Sequence, residues 1–295
     1  MKVVFFYITL AFINIIKLLP VRVLYLISDI IYYIIYYIAR YRRKTVYLNL
    51  RQSFPEKTEK EIKKIAKKFY RHLADIFVEY IILAKLSSEK LEQRLKFVNP
   101  EAVTNLLDIN KNVVIVTAHY GNWEQSCLGG KIMGGSGEII AVYKRLHNKY
   151  WDKWFIKVRS KFGAKLVEMH DVLRHLVSNK NKGISSATVL IADQLPRASE
   201  MKYFVNFLNH EGTAVFLGAE RLAKSFDAAV VYADIQKIKR GYYEIEFTVL
   251  TTEPNKTAEH EITDMHVKML EKIIRQKPEY WIWSHKRWKR TQQTN

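Results

Sequence analysis

From Phe97 onward the chain alternates short apolar runs with amphipathic segments, and that alternation restricts the fold more than any other feature. Val113–Val116, Ile139–Val142, Val189–Ala192, Phe204–Phe207, Ala229–Tyr232 and Tyr243–Leu250 read as strands, being short and rich in β-branched and aromatic residues. Segments 121–133, 148–162, 170–180, 212–225 and 258–276 read as helices. Strands feeding helices in this order predict an α/β fold, a mostly parallel central sheet flanked by helices. No internal repeat, low-complexity tract or Gly/Ser linker interrupts it, so one catalytic domain is expected.

The amino-terminal region has a different texture. Between Val3 and Ile16 there is no charge, and Lys17, Arg22 and Asp29 are the only charges before Arg40. Lys2 and Lys17 can snorkel at the ends of an apolar stretch from Val3 to Leu19, which Pro20 breaks. Val21–Ala39 is rich in Tyr, Ile and Leu, and tyrosine favours the membrane–water interface. A small-x-small cleavage site does not follow the apolar run, so an uncleaved membrane anchor is expected rather than a signal peptide. Arg40, Arg42, Arg43 and Lys44 come next, and a basic cluster beside the membrane marks the cytoplasmic side. The division expected is therefore an anchor with its basic segment over residues 1–44 and a catalytic domain over 45–295. Crossing once and lying in the interface both remain open for residues 1–39. Thr58 with Glu61 is a capping box, so a helix should start there, with Ile62, Ile65, Ala66, Phe69 and Leu73 on its apolar face.

Lys and Arg number 48 against 29 Asp and Glu, a net charge of +19, which favours an acidic protein, anionic headgroups or nucleic acid as partner. Cys127 is the only cysteine; it excludes an internal disulfide, suits a reducing compartment, and reads as a small buried residue rather than a nucleophile.

The chemistry concentrates in Val113-Val-Ile-Val-Thr-Ala-His119-Tyr-Gly-Asn-Trp-Glu124. A buried strand runs out into His119, Gly121 permits a tight turn, and Glu124 opens a helix. Ligands bind at the carboxyl ends of parallel strands, where His119 falls. Histidine takes a proton near neutral pH, and a carboxylate such as that of Glu124 can fix its tautomer, so the pair could activate a hydroxyl or amine. On the five-residue spacing alone, a structural histidine is the more common outcome. His260 and His266, with Glu261 and Asp264, are spaced six apart and do not share a helical face, so no metal site is expected. P-loop and dinucleotide glycine patterns are absent, and no cofactor is expected. Trp281, Trp283 and Trp288 among Lys286, Arg287 and Lys289 suit a membrane interface better than nucleic acid.

This stretch resembles the His-x4-Asp/Glu motif of the glycerolipid acyltransferases, and most closely that of the late lipid A acyltransferases. The likeness extends through Leu19–Asp29, Tyr41–Lys44, Asn49–Pro55, Phe69–Asp75, the Asn148–Gly163 block with Arg159, Ala192-Asp193-Gln194 and Pro278–Trp288. The resemblance implies the fold of that family and transfer of a fatty acyl chain from acyl–acyl carrier protein to a hydroxyl of a lipid A precursor or related glycolipid. It implies a bacterial inner-membrane location with the site facing the cytoplasm, and no nucleic-acid partner. His119 would be the general base and Glu124 its orienting carboxylate, with Arg159, Asp193 and Gln194 binding substrate. Asn206-Phe-Leu-Asn-His210 departs from the family's Phe-Phe-Gly-like stretch, which bears on the acceptor. Two alternatives stand beside this reading. One is the same fold acting on an aminolipid or lysophospholipid; the other is a non-catalytic basic membrane protein.

Overall fold

The computed structural model describes residues 2–128 and 136–290. α1 (Lys2–Ile16) and α2 (Val21–Tyr33) are separated at Pro20, and α2 continues through a π-turn over Ile34–Ile38. Val21–Ile38 is, among the described residues, the one stretch long and apolar enough to cross a membrane. α3 (Arg43–Ser53) follows, then α4 (Glu59–Lys85) and α5 (Ser88–Glu92). The α/β part runs β1 (Leu95–Phe97), α6 (Glu101–Asp108), β2 (Val113–Thr117), a 3-10 turn over Trp123–Leu128, β3 (Glu138–Tyr143), α7 (Lys149–Ser160) and β4 (Lys165–Glu168). It continues with α8 (Val172–Asn181), β5 (Ser186–Ile191), β6 (Phe204–Phe207), β7 (His210–Ala214), α9 (Gly218–Phe226), β8 (Ala229–Lys239), β9 (Tyr242–Thr251) and α10 (Glu261–Gln276).

Seven of these strands form one sheet in the order β1-β9-β8-β2-β5-β3-β4. Every neighbouring pair is parallel except β8–β9. The mostly parallel α/β sheet expected from the alternation is therefore present. β2 lies at its centre with all five residues buried. Val114 and Val116 face one core, shared with α4 and α10, while Val113 and Ile115 face the other, shared with α6 and α7. Such two-sided burial explains the unbroken apolar run, because a parallel strand covered on both faces needs no polar alternation.

Local differences have local causes. Residues 212–225 were expected to be helical, yet His210–Ala214 is β7, paired antiparallel with β6 in a separate hairpin, and α9 starts only at Gly218. The helix expected over 121–133 is a 3-10 turn at Trp123–Leu128, and its remainder lies outside the described residues. The expected burial of Cys127 likewise falls outside the described side chains.

α4 starts as its sequence requires: Thr58 accepts from the Glu61 N–H, and Glu61 accepts from the Thr58 N–H at 2.9 Å. One stripe of this helix is both polar and buried, formed by His72, Asp75 and Glu79. Asp75 accepts from Ser28 Oγ of α2 at 2.7 Å, from Lys237 Nζ of β8 at 3.0 Å and from Arg240 Nε at 2.8 Å. Burial alone would raise the Asp75 carboxyl, but the Lys237 charge and the Arg240 hydrogen bond hold it below its ordinary value. Removing the carboxylate leaves the buried Lys237 ammonium without its anion and Arg240 with Asp29 alone. Asp75→Ala should therefore lower the unfolding free energy by about 3 kcal/mol, read from urea denaturation in detergent.

Candidate active site

β2 and β5 are parallel neighbours with Thr117 opposite Ile191, and each hands on a side chain two residues past its last position. Those side chains are His119 and Asp193. His119 Nδ1 donates to Asp193 Oδ1 at 2.7 Å. The other carboxylate oxygen accepts from Trp281 Nε1 at 2.8 Å. On the far side of the ring, the Gln194 amide donates to His119 Nε2 at 3.1 Å. These contacts fit the Nδ1–H tautomer, with the Nε2 lone pair directed at Gln194. Trp123 closes one flank of the imidazole edge-on, its ring centroid 5.2 Å away. Desolvation would raise the fully buried Asp193 carboxyl, but its electrostatic and hydrogen-bond partner His119 and the hydrogen bond of Trp281 outweigh it and hold the group below its ordinary value.

The carboxylate at His119 Nδ1 thus belongs to Asp193. Glu124 instead meets Arg159 of α7 in a two-pronged pair, Nε to Oε2 at 2.9 Å and Nη2 to Oε1 at 2.8 Å. The physical reason lies in the backbone. Asp193 stands level with His119 across the sheet, whereas the 3-10 turn after Gly121 carries Glu124 to α7. The five expected residues fall into two groups: His119, Asp193 and Gln194 past the ends of β2 and β5, and Glu124 with Arg159 of α7.

The turn that bears His119 is held from behind. Gly121 has φ +58°, and a Cβ there would lie 2.5 Å from the Ile235 carbonyl oxygen, so only glycine fits. Its N–H donates to the Tyr280 carbonyl at 3.1 Å, and Tyr120 makes an antiparallel bridge with Trp281. The Gly121 carbonyl accepts from His72 Nε2 at 3.0 Å. Asn122 donates to Glu79 at 2.7 Å, and Tyr243 donates to the same oxygen at 2.8 Å. Burial pushes the Glu79 carboxyl above its ordinary value.

Sequence reasoning missed His72, Glu79, Trp281 and Arg287. Arg287 is 3% exposed, donates to the Ala214 carbonyl at 2.5 Å, and lines a small cavity with Thr117, Asp193, Tyr232 and His266. Burial lowers its guanidinium to about 10, opposed by the Asp193 carboxylate, so it stays charged at neutral pH. The basic run around Trp288 gave no sign that one arginine turns inward. Among the described residues no cluster of His, Cys, Asp or Glu could hold a metal ion. On the α7 side, Phe6, Tyr80, Trp151, Trp154 and Phe155 form a continuous aromatic wall, with Arg159 5.5 Å from the Phe155 ring centroid.

The family described as bacterial lipid A biosynthesis acyltransferase matches residues 1–290. The lipid A biosynthesis palmitoleoyltransferase of Escherichia coli (strain K12) is 26% identical over 246 residues, covering 82% of this chain and 76% of that protein. Lipid A biosynthesis acyltransferase 2 of Shigella flexneri is 23% identical over 253 residues, covering 83% and 77%. The lipid A biosynthesis myristoyltransferase of E. coli K12 is 24% identical over 190 residues, covering 64% and 57%. The class is thereby an enzyme, a transferase of acyl groups, and not a non-catalytic binder. The chain belongs to the bacterial lipid A biosynthesis acyltransferases.

One pH dependence follows from the support behind the turn. Burial, then the neighbouring Lys237 charge, lowers the His72 imidazole from 6.5 to about 3. The unfolded chain binds that proton first, so the stability is present above pH 6.5 and is lost as pH falls toward 3. The loss approaches about 1.4 kcal/mol per pH unit inside that window. His72→Gln keeps a donor for Gly121 and should show a shallower fall than the parent when urea unfolding is compared at pH 7 and pH 5.

Proposed function

We propose that this chain moves a fatty acyl group from acyl–acyl carrier protein to a hydroxyl of a lipid A precursor, at the cytoplasmic face of a bacterial inner membrane, with His119 as general base. The observation that carries the chemistry is the imidazole fixed between Asp193 at Nδ1 and Gln194 at Nε2. With Nδ1 engaged as a donor, the lone pair at Nε2 is the base.

In the reaction the acceptor hydroxyl takes the place of the Gln194 amide at Nε2 and gives up its proton there. Its oxygen attacks the thioester carbonyl carbon, the C–S bond breaks, and the proton passes from Nε2 to the departing sulfur. Asp193 stabilises the transient imidazolium, and Trp281 keeps that carboxylate from rotating. Glu124 fixes the plane of the Arg159 guanidinium, a positive group suited to a phosphate or to the developing oxyanion. The aromatic wall offers the acyl chain an apolar bed. The net charge of +19 favours the acidic carrier protein.

Membranes containing the chain, incubated with acyl–acyl carrier protein and a tetra-acylated lipid A precursor, should yield a product heavier by one acyl chain in mass spectrometry. His119→Ala should remove that product with an unchanged Tm. Asp193→Asn should lower kcat by about 10³-fold or more, because the imidazole loses its tautomer control. Glu124→Gln should cost less than Asp193→Asn, and the reverse order would return the orienting role to Glu124. Product with a lysophospholipid or aminolipid but none with the lipid A precursor would keep the base and change the acceptor.

A further inference from the structure

α2 does not stand away from the catalytic domain. Leu24, Ser28, Tyr32 and, in the π-turn, Tyr36 recur every four residues and are buried. Polar contacts hold the helix at residues 25–29: Tyr25 to Glu79 at 3.3 Å, Ser28 to Asp75 at 2.7 Å, and Arg240 to Asp29 at 2.7 Å and to the Tyr25 carbonyl at 3.3 Å. Further along, Arg71 of α4 lies 5.1 Å from the Tyr32 ring and Arg43 lies 4.7 Å from the Tyr36 ring. A helix crossing a bilayer needs hydrocarbon around it for about 30 Å. Val21–Ile38 has cations of the folded domain against its side at these depths, so it cannot cross without drawing them in.

α1 is tied down as well. Phe6 is 5% exposed and packs between Tyr150 and Trp151 of α7 at 5.4 and 4.9 Å. At 15 residues α1 is about 22 Å long, shorter than a bilayer core of about 30 Å. The outer faces of both helices are apolar and exposed: Ile8, Phe12 and Ile15 on α1, Leu26, Ile30 and Tyr33 on α2. Exposed cations border this face at Arg22, Arg40, Arg42 and Lys44.

We propose that α1 and α2 lie in the plane of one leaflet, forming a two-helix platform that seats the domain on a bilayer containing anionic phospholipid, with neither helix crossing. The apolar faces sink to the acyl boundary while the bordering cations meet headgroup phosphates. The platform also sets the aromatic wall of α7, which grips Phe6, against the lipid surface. This inference rests on the membrane location proposed above and is independent of the acyl-transfer chemistry.

The full chain, carrying an epitope tag ahead of Met1, would be reconstituted into sealed vesicles of phosphatidylcholine with and without phosphatidylglycerol and treated with external protease. Tag and domain should be cleaved together or protected together in every molecule, since both lie on one side. A protected tag with an accessible domain would establish a crossing and overturn the platform. Leu26→Glu and Ile8→Glu, both at exposed positions, should each weaken vesicle partition by about tenfold with unchanged Tm in detergent. Partition should be stronger with phosphatidylglycerol and fall with added salt. Unchanged partition, or a dimer in detergent that Leu26→Glu converts to monomer, would assign the face to something other than lipid. Failure to bind either vesicle would remove the membrane location along with the platform.

Discussion

The buried polar stripe of α4 is the constraint on which the rest depends. Asp75 gathers Lys237 and Arg240 from the β8–β9 hairpin and Ser28 from α2, while Glu79 gathers Asn122, Tyr243 and Tyr25. His72 reaches the carbonyl of Gly121, one residue removed from the motif strand's bridge to Trp281. A buried carboxylate is tolerable only when its hydrogen bonds are filled, so each partner is fixed by the others. One helix face thereby sets α2, the antiparallel end of the sheet and the turn that bears His119.

Much of the fold was legible because burial imposes it on composition. β2 and β3 declare themselves as apolar runs and β9 as an alternation of apolar and polar residues, α7 opens at Asn148, whose side chain accepts from the Tyr150 and Trp151 N–H groups, and α4 opens at the Thr58 capping box. β7 was not legible. It exists because Phe207 pairs with His210 across the two-residue turn Leu208–Asn209, both at positive φ. Glycine normally marks such a turn, and leucine there costs about 1–2 kcal/mol, so no local signal announced it. β1 and β4 are short strands at the sheet's edges, where packing asks little of the sequence.

For the site, the sequence names five residues, and the geometry pairs two of them in ways their spacing does not record. His119 and Asp193 are 74 positions apart, and they meet because β2 and β5 are in register. Strand order is a property of the whole sheet, so nothing near either residue records it. Glu124 drew the orienting role through proximity along the chain, but a turn with glycine at φ +58° sends it elsewhere. Trp281 and Arg287 look like surface groups in a basic run and prove to be among the most buried side chains near the site.

The clamp on Asp193 also has a meaning for biosynthesis. Trp281 lies 88 positions after the carboxylate it holds. A ribosome that has finished α10 has already delivered His119, Asp193, Gln194, Glu124 and Arg159, yet the emerging chain has neither the indole that fixes the carboxylate nor the strand edge that closes over Tyr120. The His119–Asp193 pair therefore acquires its full set of contacts late in synthesis, only once translation passes the Pro278–Trp288 segment.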